Sequence, residues 1–165
     1  MDHLWSPWRY KYIAGIDRQQ GCVFCAAKDE PDDTKSLVVF RGVSVFAILN
    51  LFPYTTGHLM VIPYQHTASF VDLDEVTTAE LFKVAKLAAT ALDQEYRPDG
   101  YNIGMNLGRA AGAGVAEHIH LHVVPRWGGD ANFLSVIGET RVISEELPVT
   151  RDRLIRRMKH DLNQP

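Results

Sequence analysis

Three histidines occupy alternate positions in one short apolar run, His118-Ile-His120-Leu-His122-Val-Val-Pro125. On a strand, successive side chains point to opposite faces, so the three imidazoles share one face while Ile119, Leu121 and Val123 fill the other. Neighbouring rings are then separated by about 6.6 Å along the chain. A helix is the weaker reading, because Val123, Val124 and Pro125 oppose it and it would scatter the middle histidine. Several polar rings on one face are costly unless each has a partner, so a shared ligand, a metal or a phosphate, explains the pattern best. Just upstream, Gly108, Gly112 and Gly114 are separated by small residues. A loop of that composition lets backbone N–H groups turn inward and cradle an anion. The only two cysteines, Cys22 and Cys25, form a C-x-x-C pair, which in a reducing compartment reads as a metal-ligand pair or a redox pair.

The surrounding pattern supplies the elements that must position these groups. Leu37–Arg41 and Val45–Leu49 read as a hairpin about Gly42, Leu59–Ile62 as a third strand, and Tyr101–Asn106 and Ile119–Val124 as a fourth and fifth. From Thr77 to Tyr96, Leu81, Val84, Ala85, Ala88, Ala91 and Leu92 recur at helical spacing, with Thr77 and Glu80 as a capping box. Arg151–Asp161 reads as a charged terminal helix on the surface, and Lys28–Lys35 as a polar loop. An aromatic and cationic arm, residues 1–20 with Trp5, Trp8, Tyr10 and Tyr12, is expected to pack over the core. Strands linked by hairpins around one long helix make an α+β fold, an antiparallel sheet with a helix packed against it.

Bulk properties set limits. At 165 residues the chain suits one domain, with 46% hydrophobic and 22% charged residues, as in ordinary globular proteins. A net charge of −3 gives no electrostatic footprint for nucleic acid or an anionic membrane. No run approaches a membrane span and the N-terminus lacks a signal-peptide layout, so a cytoplasmic protein is expected.

The segment His118-Ile-His120-Leu-His122-Val-Val resembles the His-φ-His-φ-His-φ-φ signature (φ apolar) of the histidine triad (HIT) superfamily. Asn50, the Pro53 to His58 run and the loop before the triad recur there in the same order. The runs Asn106-Leu-Gly-Arg-Ala-Ala-Gly, Ala116-Glu-His, Val124-Pro-Arg-Trp-Gly-Gly-Asp-Ala-Asn-Phe and Leu4-Trp5-Ser-Pro7-Trp8-Arg9 are similar to the bacterial diadenosine tetraphosphate phosphorylases, or ATP adenylyltransferases. The resemblance implies a five-stranded HIT-like sheet with one long helix and a C-terminal helix, in a single domain with the 1–20 arm and a helical extension over 145–165. It implies nucleotidyl transfer, from diadenosine tetraphosphate and inorganic phosphate to ATP and ADP, through a nucleotidyl group carried by His120.

Further roles follow from the same resemblance. His122 would protonate the departing oxygen and His58 would stand on the phosphate side. Asn50 would bind ribose, Asn106 the leaving phosphate, and the backbone of Gly112, Ala113, Gly114 and Val115 the α-phosphate. Phe46 and Ile48 are candidates for adenine-pocket walls, with plain core packing as the equal alternative. Relatives carry Ser or Thr near Val115, a departure here. Cys22, Cys25, His66 and His118 would close a structural zinc site, leaving His120 and His122 for chemistry. A homodimer is implied by analogy. Three competitors remain: a HIT hydrolase or AMP-phosphoramidase releasing AMP, a zinc hydrolase using His118, His120 and His122 as catalytic ligands, and a non-catalytic nucleotide sensor.

Overall fold

The structure, a computed structural model, describes residues 21–131 and 143–162. The N-terminal arm expected to cover the core lies outside the described residues. In chain order the elements are α1 (Val23–Asp29), α2 (Asp33–Ser36), β1 (Val38–Arg41), β2 (Val45–Leu49), β3 (Leu59–Pro63), α3 (Glu75–Tyr96), β4 (Gly100–Gly104), β5 (Leu121–Arg126) and α4 (Leu147–Leu162), with a 3-10 turn at Arg109–Ala111. The strands form one antiparallel sheet in the order β1-β2-β3-β5-β4. This is the α+β architecture the sequence implies.

The period of two in each strand divides the apolar residues between two faces. Val45, Ala47, Leu49, Val61, Leu121 and Val123 meet Leu81, Val84, Ala88 and Leu92 of α3 and Leu154 and Met158 of α4 in the main core. Phe46, Ile48, Met60 and Ile62 point the other way and pack with Phe24 of α1. The histidines belong to this second face, since His122 is paired with Met60 on one side and Gly104 on the other. A side chain at Gly104 would meet nothing within 4 Å, so the space beside His122 on that flank is open.

Several expectations need correction. Asp74, not Thr77, caps α3: its carboxylate accepts from the Thr77 backbone N–H at 2.7 Å, and the helix starts at Glu75. Glu80 is drawn away to the β1–β2 turn, where its carboxylate accepts from the N–H groups of Val43 and Ser44 at 2.8 and 2.6 Å. The polar stretch Lys28–Lys35 is the end of α1 and most of α2 rather than a loop; Asp32 caps α2 by accepting from Thr34. The terminal helix begins four residues early, at Leu147, and is not merely superficial, because Leu154 and Met158 are fully buried. β4 ends two residues early, at Gly104, and β5 begins at Leu121 rather than Ile119. His118 and His120 thus lie on an extended lead-in to the strand, where Ile119 N–H is taken by the Thr67 carbonyl. No helix among the described residues is long and apolar enough to cross a membrane.

Candidate active site

His58, His118 and His120 each have one ring nitrogen facing a backbone group whose hydrogen-bonding role is fixed, and this decides where the proton sits, with His122 following from His58. A carbonyl can only accept and a backbone N–H can only donate. His120 Nδ1 lies 2.9 Å from the His118 carbonyl, so Nδ1 holds the proton and Nε2 keeps a lone pair. His118 Nε2 lies 2.9 Å from the Pro63 carbonyl, so its lone pair is on Nδ1. At His58, Nδ1 accepts from the Tyr54 N–H at 3.1 Å, leaving the proton on Nε2. That proton points at His122 Nδ1, 2.9 Å away, which makes His122 an Nε2–H tautomer. The chain therefore presents a basic nitrogen on His120 beside a proton-bearing nitrogen on His122, with ring centroids 4.8 Å apart.

Burial keeps the three triad rings neutral. His58, His118 and His120 are at most 5% exposed. Burial is the leading cause that holds His118, His120 and His122 below the ordinary histidine value, and the neighbouring His120 adds to it at His122, which falls to about 4. A neutral imidazole with a fixed tautomer is a competent nucleophile near pH 7.

The other nitrogen of His118 faces the cysteine pair. Its Nδ1 lies 3.2 Å from Cys22 Sγ and 3.8 Å from Cys25 Sγ, and His66 Nδ1 lies 3.3 Å from Cys25 Sγ. One ligand atom from each of Cys22, Cys25, His66 and His118 falls within 4.8 Å of the others. Two sulfurs and two imidazole nitrogens in that arrangement match a closed tetrahedral zinc shell. Burial, then the adjacent Cys22, raises the Cys25 thiol, a penalty that a bound cation would reverse by stabilising thiolate. The three triad histidines do not converge on one point: His118 turns to the cysteines, His120 to its own backbone and His122 to His58. That geometry does not fit a catalytic metal held by all three.

The remaining candidates separate into two groups. Phe46 is fully buried and stacked on Tyr64 at 5.4 Å, and Ile48 is 7% exposed; both lie in the apolar face with Phe24 and Val115. Asn50 Oδ1 accepts from Phe52 N–H at 2.9 Å, and its amide nitrogen is 3.4 Å from His58 Nδ1. Asn106 and His122 line a cleft of about 900 Å³, together with Tyr54, Ile103, Arg126 and Trp127. In the glycine loop the N–H groups of Gly112 and Ala113 bond to the carbonyls of Arg109 and Gly108, so these two amides close the loop on itself.

Sequence reasoning missed Phe24, whose ring packs 4.9 Å from His120 and 5.6 Å from His118. Its position between the two cysteines was the available signal. It also missed the Tyr54 N–H and the Pro63 carbonyl, which set the tautomers of His58 and His118 as backbone atoms and so leave no mark in residue type; a backbone carbonyl of the triad segment holding the His120 N–H is what the family resemblance implies, and it is that of His118.

With that geometry in view, comparison with known proteins is informative. The HIT domain family model matches residues 32–129. An AP-4-A phosphorylase of Mycobacterium tuberculosis is 42% identical over 158 residues, covering 92% of this chain and 81% of its own. Protein hit of Bacillus subtilis is 32% identical over 117 residues, 71% of this chain and 79% of its own. Among solved structures, a Zn-bound histidine triad family protein from Mycobacterium smegmatis superposes with a TM-score of 0.69 at 31% identity, covering 87% of this chain and 98% of its own.

The His122 environment has a measurable consequence. Its pKa in the folded protein, about 4, lies below the value of about 6.5 in an unfolded chain. The unfolded state therefore binds the proton first, and stability is lost as pH falls from about 6.5 to about 4. Nitrogen-15 NMR of the imidazoles is expected to show His122 neutral and Nε2-protonated at pH 5.5, with the melting temperature dropping across the same window; titration of His122 near 6.5 would contradict this.

Proposed function

The chain belongs to the HIT domain family, and from that premise we propose that it transfers nucleotidyl groups from diadenosine tetraphosphate to inorganic phosphate, yielding ATP and ADP. The observation that carries the proposal is the pairing of opposite tautomers, a lone pair on His120 Nε2 beside a proton on His122 Nε2. In the first displacement the His120 lone pair forms a bond to the α-phosphorus and the bond from phosphorus to the bridging oxygen breaks. His122 Nε2–H donates a hydrogen bond to that oxygen and stabilises its charge, and ATP leaves as the anion. In the second, an oxygen of inorganic phosphate forms a bond to the same phosphorus and the nitrogen–phosphorus bond breaks, returning the electron pair to His120 Nε2, while the proton of the entering phosphate stays on the product phosphates or passes to water. ADP is released with both rings in their starting tautomers.

The rest of the chain supports that exchange. His58 holds the His122 tautomer through its own bond to the Tyr54 N–H. Asn50 would bind the ribose hydroxyls, Asn106 the leaving phosphate from the cleft wall, and Gly114 and Val115 the α-phosphate through their amides. Ile48 and Phe24, on the apolar face next to His120, would contact the base; Phe46, fully covered, would support them from beneath. Zinc held by Cys22, Cys25, His66 and His118 would supply no reacting group; it would bind α1 to the His118 backbone whose carbonyl orients His120. The 42% identity to an AP-4-A phosphorylase supports the choice of substrate. The outer edge of β4, with Ile103 49% exposed, suits pairing with a second copy in a homodimer.

Two outcomes test this reading. Purified protein should carry about one zinc per chain, lost with a fall in melting temperature when Cys22 and Cys25 are both replaced by Ser; full zinc in that variant would overturn the assignment. Incubation with diadenosine tetraphosphate should give ATP and ADP only when phosphate is present, and His120→Ala should lower kcat by about 10³-fold or more. Release of AMP regardless of phosphate would instead mark a hydrolase, and normal nucleotide binding without turnover under any condition a sensor.

A further inference from the structure

The loop from Met105 to Glu117, which joins β4 to the triad, contains two charged side chains, Arg109 and Glu117. They meet across the neck of the loop. Arg109 Nη2 lies 3.6 Å from Glu117 Oε1, and the two side chains are 86% and 63% exposed. At that distance the contact is a weak ion pair rather than a hydrogen bond, and exposed pairs of this kind are readily exchanged. The backbone beneath Arg109 is fixed by contrast. Gly108 and Gly112 flank the turn at φ values of +80° and +85°, and the N–H groups of Ala111, Gly112 and Ala113 bond back to the carbonyls of Gly108 and Arg109. A rigid turn thus displays a loosely held guanidinium.

Its location matters for a polyanionic substrate. Arg109 follows Asn106 of the cleft by three residues, a span of at most about 11 Å. Its partner Glu117 immediately precedes His118. Arg109 is not itself a lining residue of the cleft, but it is tethered three residues from Asn106 of the cleft wall and paired with the residue that precedes the triad, within reach of phosphates that extend out of the cleft. Of the residues described as lining the cleft, Arg126 is the one Lys or Arg, and its charge is already paired with Asp130: Nη2 donates to Asp130 at 2.8 Å and Nη1 to Asn102 at 2.6 Å. The reacting histidines are neutral. A chain of phosphates beyond the transferred one would find its exchangeable positive partner in Arg109.

We propose that Arg109 selects the leaving group, exchanging the Glu117 carboxylate for the non-transferred phosphates of the substrate. The forked donors of a guanidinium suit phosphate oxygens, and a charge-assisted pair to a phosphate outcompetes a 3.6 Å contact to a carboxylate. The acceptor uses the same place. In the second displacement, inorganic phosphate enters from the side the leaving phosphates vacated, so one cation serves both half-reactions. Glu117 returns to Arg109 when the site empties, which keeps the loop closed between turnovers. The identity of the ligand rests on the nucleotidyl-transfer reading given above.

The test compares two donors that share the adenylyl group but differ in what leaves, diadenosine tetraphosphate and adenosine 5′-phosphoramidate, on the full chain and on Arg109→Ala, Arg109→Lys and Glu117→Gln. Melting temperatures of these exposed-site variants should match the parent. Arg109→Ala should lower kcat/KM for the tetraphosphate by about tenfold or more, mainly through KM, while the phosphoramidate stays within about twofold. Arg109→Lys should recover part of the loss, and Glu117→Gln should lower KM for the tetraphosphate because the competing carboxylate is gone. The calorimetric preference for ATP over AMP should fall in Arg109→Ala by a similar factor. An unchanged tetraphosphate KM, or equal losses on both donors with the ATP-to-AMP preference intact, would overturn the proposal. If the parent protein turned over neither donor, the nucleotidyl-transfer reading would fail on its own. Arg109 would then be judged by the ATP-to-AMP preference alone.

Discussion

One hydrogen bond organises this site, the donation from His120 Nδ1 to the carbonyl of His118, two residues back on the same chain. It fixes the ring's orientation and its tautomer together, and it places the lone pair on the nitrogen that faces away from the backbone. A surface imidazole would sample both tautomers and several rotamers. Here the partner is main chain, so the choice is set by the path of the polypeptide rather than by a second side chain that could itself move. The same carbonyl belongs to a residue that is pinned twice more, by the Pro63 carbonyl on Nε2 and by the sulfurs of Cys22 and Cys25 near Nδ1. Whatever holds His118 therefore holds His120.

The sheet makes this possible by separating its two faces. One face is occupied by α3 and α4 and supplies the main hydrophobic core. Among the described residues, the other is covered by the short α1, packed on apolar side chains of β2 and β3, and there the histidines line up. Stability and chemistry are thus assigned to opposite sides of the same strands, with Leu121 and Val123 in the core and His120 and His122 on the reactive face. Burial on that face pushes the histidine pKa values down, which keeps His120, the proposed nucleophile, unprotonated. Under the proposed reading, the cationic help for a polyphosphate comes from outside the histidine cluster, from the exposed Arg109.

Much of this was legible in the sequence because it depends on side-chain period. Alternation of histidines with Ile119, Leu121 and Val123 gave their common face, and the three- and four-residue spacing from Leu81 to Leu92 gave the long helix. The C-x-x-C pair named two members of a ligand cluster, while His66 and His118 came from the family resemblance and are brought beside it by folding. The errors arose where a distant partner competed for a local signal. Glu80 had the spacing of a capping box, yet the hairpin turn offered it two backbone donors and Asp74 took the cap. The terminal helix was read from its charges, but burial of Leu154 and Met158 made it part of the core. The resemblance implied a triad carbonyl behind His120, which is that of His118, but the rest of the tautomer relay was invisible because its decisive atoms, the Tyr54 N–H and the Pro63 carbonyl, belong to the backbone.

The proposed function requires a single covalent event at a single atom, which can be caught. The protein would be mixed with diadenosine tetraphosphate in the absence of phosphate and quenched in alkali, where a phosphorus–nitrogen bond survives. It would then be mapped by peptide mass spectrometry, with phosphorus-31 NMR of the labelled peptide. The account predicts one adenylyl group on Nε2 of His120. Label on His122, on Nδ1 of His120, or on no histidine during active turnover would contradict it.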